Sequence, residues 1–371
     1  MVGADVSCLV SRPATERMLT YWMMFLVPAW AAIAQPRIRA APRLGFAWIV
    51  AWFALTVLIG YRFQVGADWG SYVNDVYLTG SQSLGEVLSG SDPGYALLNW
   101  LAWQLGVGVY GVNLACGALF STGLIVFCRQ QPRPWLALAV AVPYLVIVVA
   151  MGYTRQGVAI GLAMLALAAL SQKNNLRFVL WVSLAALFHK SAVILLPLAI
   201  VVARRGRAWT ALWIGALSVL MYALFVDAHA DALIRNYIQR QYDSQGAAVR
   251  VAMNAVPAAV FLAFRQRFAA DDQVRRLWTW MSSLALLGVL LLLVSPSSTA
   301  VDRMALYLIP VQIFVFSRLP DLAGRNRHLG NALTVAVVGF CAAVQAVWLN
   351  FASHAYAWLP YRFYPLELLA E

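Results

Sequence analysis

The sequence predicts an all-α fold, a polytopic transmembrane helical bundle, from two observations. Of 371 residues, 62% are hydrophobic and 11% charged, and the mean hydropathy of +0.72 is too high for a soluble domain. The apolar residues also fall into long runs, and short loops between the runs carry most of the cations.

A spanning helix needs roughly 20 apolar residues, within a range of about 17–25. Runs of this kind are Met18–Ala34, Leu44–Gly60, Gly111–Cys128, Trp135–Met151 and Gln156–Leu170. Further along come Trp209–Val226, Val249–Phe264, Leu277–Val294, Val301–Phe316 and Asn331–Phe351. Leu176–Ala203 is apolar throughout, but His189-Lys190-Ser191 interrupts it and cations flank both ends. Two short helices forming a hairpin, with both ends at the cytoplasm, fit it better than one long span. The total is about twelve spans.

Orientation follows from the loops, because cytoplasmic loops hold the excess of Lys and Arg. With the N-terminus outside, the cytoplasmic side receives Arg37, Arg39, Arg43, Arg129, Arg133, Lys173 and Arg177. It also receives Arg204, Arg205, Arg207, Arg265, Arg267, Arg275, Arg276, Arg318, Arg325 and Arg327. Most acids then lie outside: Asp68, Asp75, Glu86, Asp92, Asp227, Asp231, Asp243 and Asp302. Residues 1–371 read as one membrane domain with two outer elaborations, 61–110 and 227–248. The first contains Asp92-Pro93, an N-cap with Pro at the first helical position, which predicts an interfacial helix from Pro93 to about Leu105.

The net charge of +12 is dispersed over loops rather than gathered in a basic stripe, so nucleic acid is not an expected partner. Cys8, Cys116, Cys128 and Cys341 show neither metal spacing nor a disulfide framework. Met1 to Thr20 reads as a short polar tail rather than a removable signal. An Asp-x-Asp metal pair, a phosphate-cradling Gly-Lys-Ser loop and a Gly-x-Ser-x-Gly elbow are all missing from the sequence.

The chemistry is expected at arginines in unfavourable places. Arg155, Arg250 and Arg303 each fall in what reads as the first turn of an apolar helix on the outer side. Both the positive-inside tendency and the helix dipole disfavour a cation there. An anionic ligand would explain all three, and a lipid-linked pyrophosphate is the membrane candidate. Thr154 is expected to cap the helix, so that free N–H groups and the Arg155 guanidinium converge, with Gln156 beside them. The competing reading is an arginine that snorkels to the headgroups. Thr299 and Asp302 have capping-box-like spacing, so Asp302 is expected to serve the helix start. Arg235 and Arg240 read as solvated. Arg62 and Asp68 form either an ion pair that folds the loop or a phosphate ligand with a sugar-orienting carboxylate. His189 lies within a membrane stretch, which makes it a candidate base or sugar ligand; the alternative is a buried, satisfied histidine. His229, His328 and His354 read as ordinary loop residues.

These residues form an ordered set. Arg62-x-x-Val65-Gly66-x-Asp68-x-x-x-Tyr72, Pro93-Gly94-Tyr95-x-x-x-Asn99, Arg155-Gln156-x-x-Ala159, His189-x-Ser191-Ala192 and Trp358-Leu359-Pro360-Tyr361 resemble the EpsG family of Wzy-type polysaccharide polymerases. Ala67 departs from the small hydroxyl residue usual before the family's aspartate. The resemblance implies a GT-C-like membrane enzyme of bacterial exopolysaccharide or O-antigen synthesis. It would lie in the inner (cytoplasmic) membrane with its active site facing the periplasm. A growing glycan would pass from undecaprenyl pyrophosphate to the non-reducing end of a new lipid-linked repeat unit.

On that reading Asp68, His189 and Arg155 are the catalytic candidates. Arg62, Arg155, Lys190, Arg250 and Arg303 are the pyrophosphate candidates, and Tyr72, Tyr95, Tyr153, Gln156 and Tyr361 the sugar-binding ones. No metal or other cofactor is expected. The expected partners are the lipid-linked donor and acceptor, membrane lipid and a chain-length regulator. Rival readings are a polyprenyl-phosphate-sugar glycosyltransferase, an O-antigen ligase, an acyltransferase built on His189 and a lipid-linked sugar transporter. A transporter would place its ionisable groups near the midplane in related halves, a pattern this sequence lacks.

Overall fold

The computed structural model describes residues 14–34, 45–202, 212, 215–216, 246–268, 271–295 and 298–369. Outside these residues lie most of the expected span Trp209–Val226 and nearly all of the outer segment 227–248, with Arg235, Arg240 and His229. Cys8 and the loop cations Arg37, Arg39, Arg43, Arg204, Arg205 and Arg207 also fall outside them.

The described chain is helical. Its first half comprises α1 (Ala14–Ala34), α2 (Phe46–Gly60), α3 (Trp69–Gly80), α4 (Leu84–Leu88), α5 (Pro93–Gln104) and α6 (Gly108–Arg129). α7 (Pro134–Ala141) runs on into a π-helical stretch, Val142–Ala150, and is followed by α8 (Thr154–Ser171) and α9 (Asn175–Phe188). A 3₁₀ turn, Lys190–Leu195, leads to α10 (Pro197–Val202). The second half holds α11 (Ala247–Phe264), α12 (Asp272–Val294), α13 (Ser298–Ala305), α14 (Pro310–Arg318), α15 (Arg327–Phe351) and α16 (Tyr364–Glu367). Among the described residues pairing of the β type is confined to one antiparallel bridge, Arg62 to Phe363.

Six of these helices are long and apolar enough to cross a membrane, and a bent pair makes a seventh. They are apolar on both faces: Trp30, Val256, Leu293 and Phe351 are exposed while Phe120, Leu162 and Trp278 are buried. That pattern suits helices whose outer surface meets lipid, where packing rather than the hydrophobic effect selects partners. α8 is the central helix, packed on α6 and α9. Its crossing with α6 depends on glycine: a Cβ on Gly123 would come within 1.9 Å of the Gly161 carbonyl oxygen.

Three breaks in the helices shape the end of the bundle that holds Arg155. The π-helical stretch leaves the Ile147 carbonyl to accept a 2.8 Å bond from the Trp358 indole, which draws the C-terminal segment onto the bundle. At His189 the backbone turns extended, so the expected interruption of Leu176–Ala203 is present. The expected span Val301–Phe316 is instead broken: Ser298–Leu308 and Pro310–Ala323 meet at 44°. Pro310 lacks the N–H that would continue the helix. Asn254 donates to the Ala305 carbonyl at 2.8 Å, and Gln312 donates to Asn254 at 2.7 Å, so the polar groups at the bend are satisfied inside the bundle.

The opposite end is tied as well. Arg318 lies 4.0 Å over the Phe314 ring and donates to Gln131, while Arg133 pairs with Asp321 at 3.1 Å.

Gly123→Val drives two methyl groups into the α6–α8 crossing. It should destabilise the protein by at least about 1–3 kcal/mol, the usual cost of overpacking, read as a lower melting temperature in detergent.

Candidate functional site

The first outer segment begins at the end of α2, and Arg62 turns inward there. Its side chain is fully buried and bonds the Ile59 carbonyl at 2.5 Å, Asn113 Oδ1 at 3.1 Å and Thr154 Oγ1 at 2.7 Å. It thereby joins α2, α6 and the start of α8. Gly66, at φ +102°, continues the turn, and a Cβ there would come within 2.8 Å of the Met151 carbonyl oxygen. From α3 the Tyr72 hydroxyl accepts the Thr154 N–H at 3.0 Å and faces the Gly152 carbonyl at 3.4 Å. The N-terminus of α8 is thus gripped from two sides.

Arg155 is the next residue, in the first turn of α8, half-exposed. Its guanidinium donates to Asp92 at 3.2 Å and lies 5.7 Å over the Tyr95 ring. Tyr95 is buried, and its hydroxyl has no hydrogen-bond partner among the described residues. The Asp92 carboxyl is pushed above the usual range by burial, while Arg155 and Lys190 pull it down.

The break after α9 closes another wall. His189 Nδ1 is 2.5 Å from Ser191 Oγ, and Ser191 lies 3.1 Å from the Tyr307 hydroxyl. His189 is within the field of Arg155, Arg303 and Lys190. Gln156 donates to the Arg303 carbonyl at 2.7 Å, which links the first turn of α8 to α13. Asp68, the residue before α3, lies within the field of Arg303 and Arg155. Burial raises its carboxyl above the usual range, against the pull of both arginines. Asp68 and His189, from separate stretches of chain, thus each lie within the field of Arg155 and Arg303, with Lys190 next to His189.

Arg250 stands apart. It grips Asp302 through two bonds of 2.6 and 2.7 Å at the mouth of an apolar groove between α11 and α15. Tyr153 lines that groove and lies within the field of Asp68 and Arg303, between the two sites.

Compared with known families, residues 45–363 match the model of the EpsG family. The chain belongs to the EpsG family. No curated protein and no solved structure gives a match. Membership together with the long apolar helices makes the chain a multi-pass membrane protein with a part in polysaccharide polymerisation.

Several expectations are corrected in this EpsG-family chain. Arg62 is not open to a phosphate, because three buried acceptors occupy its guanidinium. It makes no ion pair with Asp68 either, since it points into the bundle. Thr154 is the first residue of α8 and not its cap; its hydroxyl accepts from Arg62. The Tyr72 hydroxyl and the Gln156 amide nitrogen are engaged by backbone, and the Tyr361 hydroxyl donates to the Leu58 carbonyl at 2.7 Å. Arg303 lies in the last turn of α13, not the first, because the helix starts upstream at Ser298 and ends before Pro310. The dipole favours a cation there. Asp302 holds Arg250. Asp92 precedes Pro93 as expected, but its carboxylate goes to Arg155 and not to a capping bond. Ser191 and Tyr307, which support His189, were not singled out for a role by sequence reasoning; Ser191 stood inside a quoted motif, whereas nothing in the sequence marks Tyr307.

Arg62→Met leaves Asn113 and Thr154 without their buried donor, at about 1–3 kcal/mol for each unsatisfied group. Arg155→Gln removes a half-exposed ion pair worth about 0–1 kcal/mol. Thermal melts of the two variants should separate accordingly, with a clear loss for Arg62→Met and little change for Arg155→Gln.

Proposed function

We propose that the chain polymerises lipid-linked oligosaccharide repeat units at the periplasmic face of the bacterial inner membrane. Arg155 and Arg303, linked through Gln156 and both acting on Asp68 and His189, with Lys190 beside His189, carry this reading. Three cations around a carboxylate and an imidazole suit a diphosphate leaving group beside a hydroxyl that must lose a proton. The growing glycan passes from undecaprenyl pyrophosphate to the non-reducing end of a new undecaprenyl-pyrophosphate-linked repeat. A chain-length regulator is a further proposed partner. The topology that goes with this has the N-terminus outside and about twelve crossings, the shorter apolar helices and the expected span Trp209–Val226 completing the count.

In the reaction, the acceptor hydroxyl oxygen bonds to the anomeric carbon of the donor sugar. The bond from that carbon to the diphosphate oxygen breaks, and the lipid diphosphate leaves with the electron pair. Arg155, Lys190 and Arg303 hold the negative charge as it develops. The proton goes to Asp68, which stands in the outer segment where the sugar arrives; His189 is the second candidate. Its Nδ1 faces Ser191, so a proton on Nδ1 would leave Nε2 free to accept one. Tyr153 offers a ring face to sugar, whereas Tyr95, buried beneath Arg155, supports that guanidinium.

Purified protein incubated with a synthetic lipid-linked repeat should yield a ladder of products, and chelator should leave it unchanged. Arg155→Gln should lower the rate by about 100-fold or more, as the loss of one charge-stabilising donor does. A wild-type preparation that gives no ladder would sink the proposal. The raised Asp68 carboxyl predicts a pH dependence. Activity should fall as pH drops through a value above that of an ordinary carboxylate, because the protonated form cannot accept a proton. Asp68→Asn should abolish that acid limb and slow the rate by about 100-fold or more.

A further inference from the structure

The groove beside Arg250 has a volume of about 680 Å³, within the range of ligand pockets, and it lies outside the charged cluster. Residues 246–250 and 351–354 mark its outer end; Pro257, Phe316 and Phe340 mark its inner end. From Arg250 to Pro257 it follows about 10 Å of helix. Met253, Val344 and Val347 make its walls apolar between those ends. An apolar trough with one guanidinium at its outer end matches an amphiphile with a long hydrocarbon chain and an anionic head.

The Arg250–Asp302 pair keeps that guanidinium oriented and half-buried. A diphosphate offers the same bidentate oxygen geometry with more negative charge, and so competes with a single carboxylate. Tyr153 links this mouth to Asp68 and Arg303. A head bound at Arg250 would therefore present an attached sugar to the cluster, a placement an ordinary phospholipid has no use for.

We propose that the groove between α11 and α15 seats the prenyl chain of one of the two lipid-linked substrates, and that Arg250 exchanges Asp302 for its diphosphate. This rests on the function proposed above and deepens it. The two substrates occupy separate seats on either side of Tyr153, one at Arg250 and one at the Arg155–Lys190 wall.

The test uses the full chain in phosphatidylcholine nanodiscs with a benzophenone-bearing farnesyl diphosphate that carries no sugar. Photolysis should label peptides containing Met253 or Val344. Excess unlabelled farnesyl diphosphate should suppress the label, and phosphatidylglycerol should not. Arg250→Gln should reduce labelling by at least about tenfold, the factor expected for one lost charge-assisted contact. Ala343→Trp, on an exposed position of the groove wall, should block labelling with an unchanged melting temperature. If that variant misfolds, Val347→Trp, also exposed, replaces it.

Labelling outside the groove, equal suppression by phosphatidylglycerol, or full labelling of the filled-groove variant would overturn the inference. A groove covered by the chain's own residues would give no label and overturn it too. The product ladder from the same wild-type preparation separates the two claims. A ladder without groove labelling removes this seat alone, whereas groove labelling without a ladder removes the polymerase reading.

Discussion

The half of this protein that holds the charged cluster depends on a guanidinium kept out of water. Arg62 is fully buried in an apolar bundle, and a buried charge costs several kcal/mol unless its donors are matched. The Ile59 carbonyl, Asn113 and Thr154 match its two terminal nitrogens from three helices, while Nε has no partner among the described residues. None of the three can drift without leaving the charge exposed to hydrocarbon. The position of the α8 N-terminus follows from this, and with it the positions of Arg155 and Gln156. Tyr72 and Gly66 reinforce the same junction, and Trp358 fixes the neighbouring π-helical stretch from behind.

Above that junction the charges come in opposed sets. Arg155 is set against Asp92 and Arg250 against Asp302, while Asp68 lies between Arg155 and Arg303. Each carboxylate offsets the unfavourable placement of a cation in a low-dielectric setting and also fixes its direction. A preorganised site of this kind needs little rearrangement when negative charge develops. The acids are therefore part of what makes the arginines usable.

Much of the frame was legible in the sequence. Long apolar runs and flanking cations show through composition alone, and Gly66, Pro93 and the interruption at His189 announce turns by their own chemistry. What stayed hidden was where side chains point. Arg62 and Arg155 look alike as outer arginines, yet one faces inward to Asn113 and the other faces Asp92. That choice is made by partners 51 and 63 residues away, which a linear pattern does not reveal. The same holds for Tyr307, whose hydroxyl meets Ser191 across 116 residues. Arg303 sits near the start of the apolar run at Val301, but the helix already begins by Ser298, a polar stretch that the run does not mark.

The 44° bend at Pro310 has its own consequence. A straight rod would carry any shift of its outer tip down through the whole thickness of the bilayer. Here Arg303 rides on a stub of eight residues, Ser298–Ala305, which Gln156, Arg250 and Asn254 hold from two other helices. Beyond the bend, α14 is held by different partners, Gln131 and Phe314. The two halves of the broken helix are therefore anchored independently of each other.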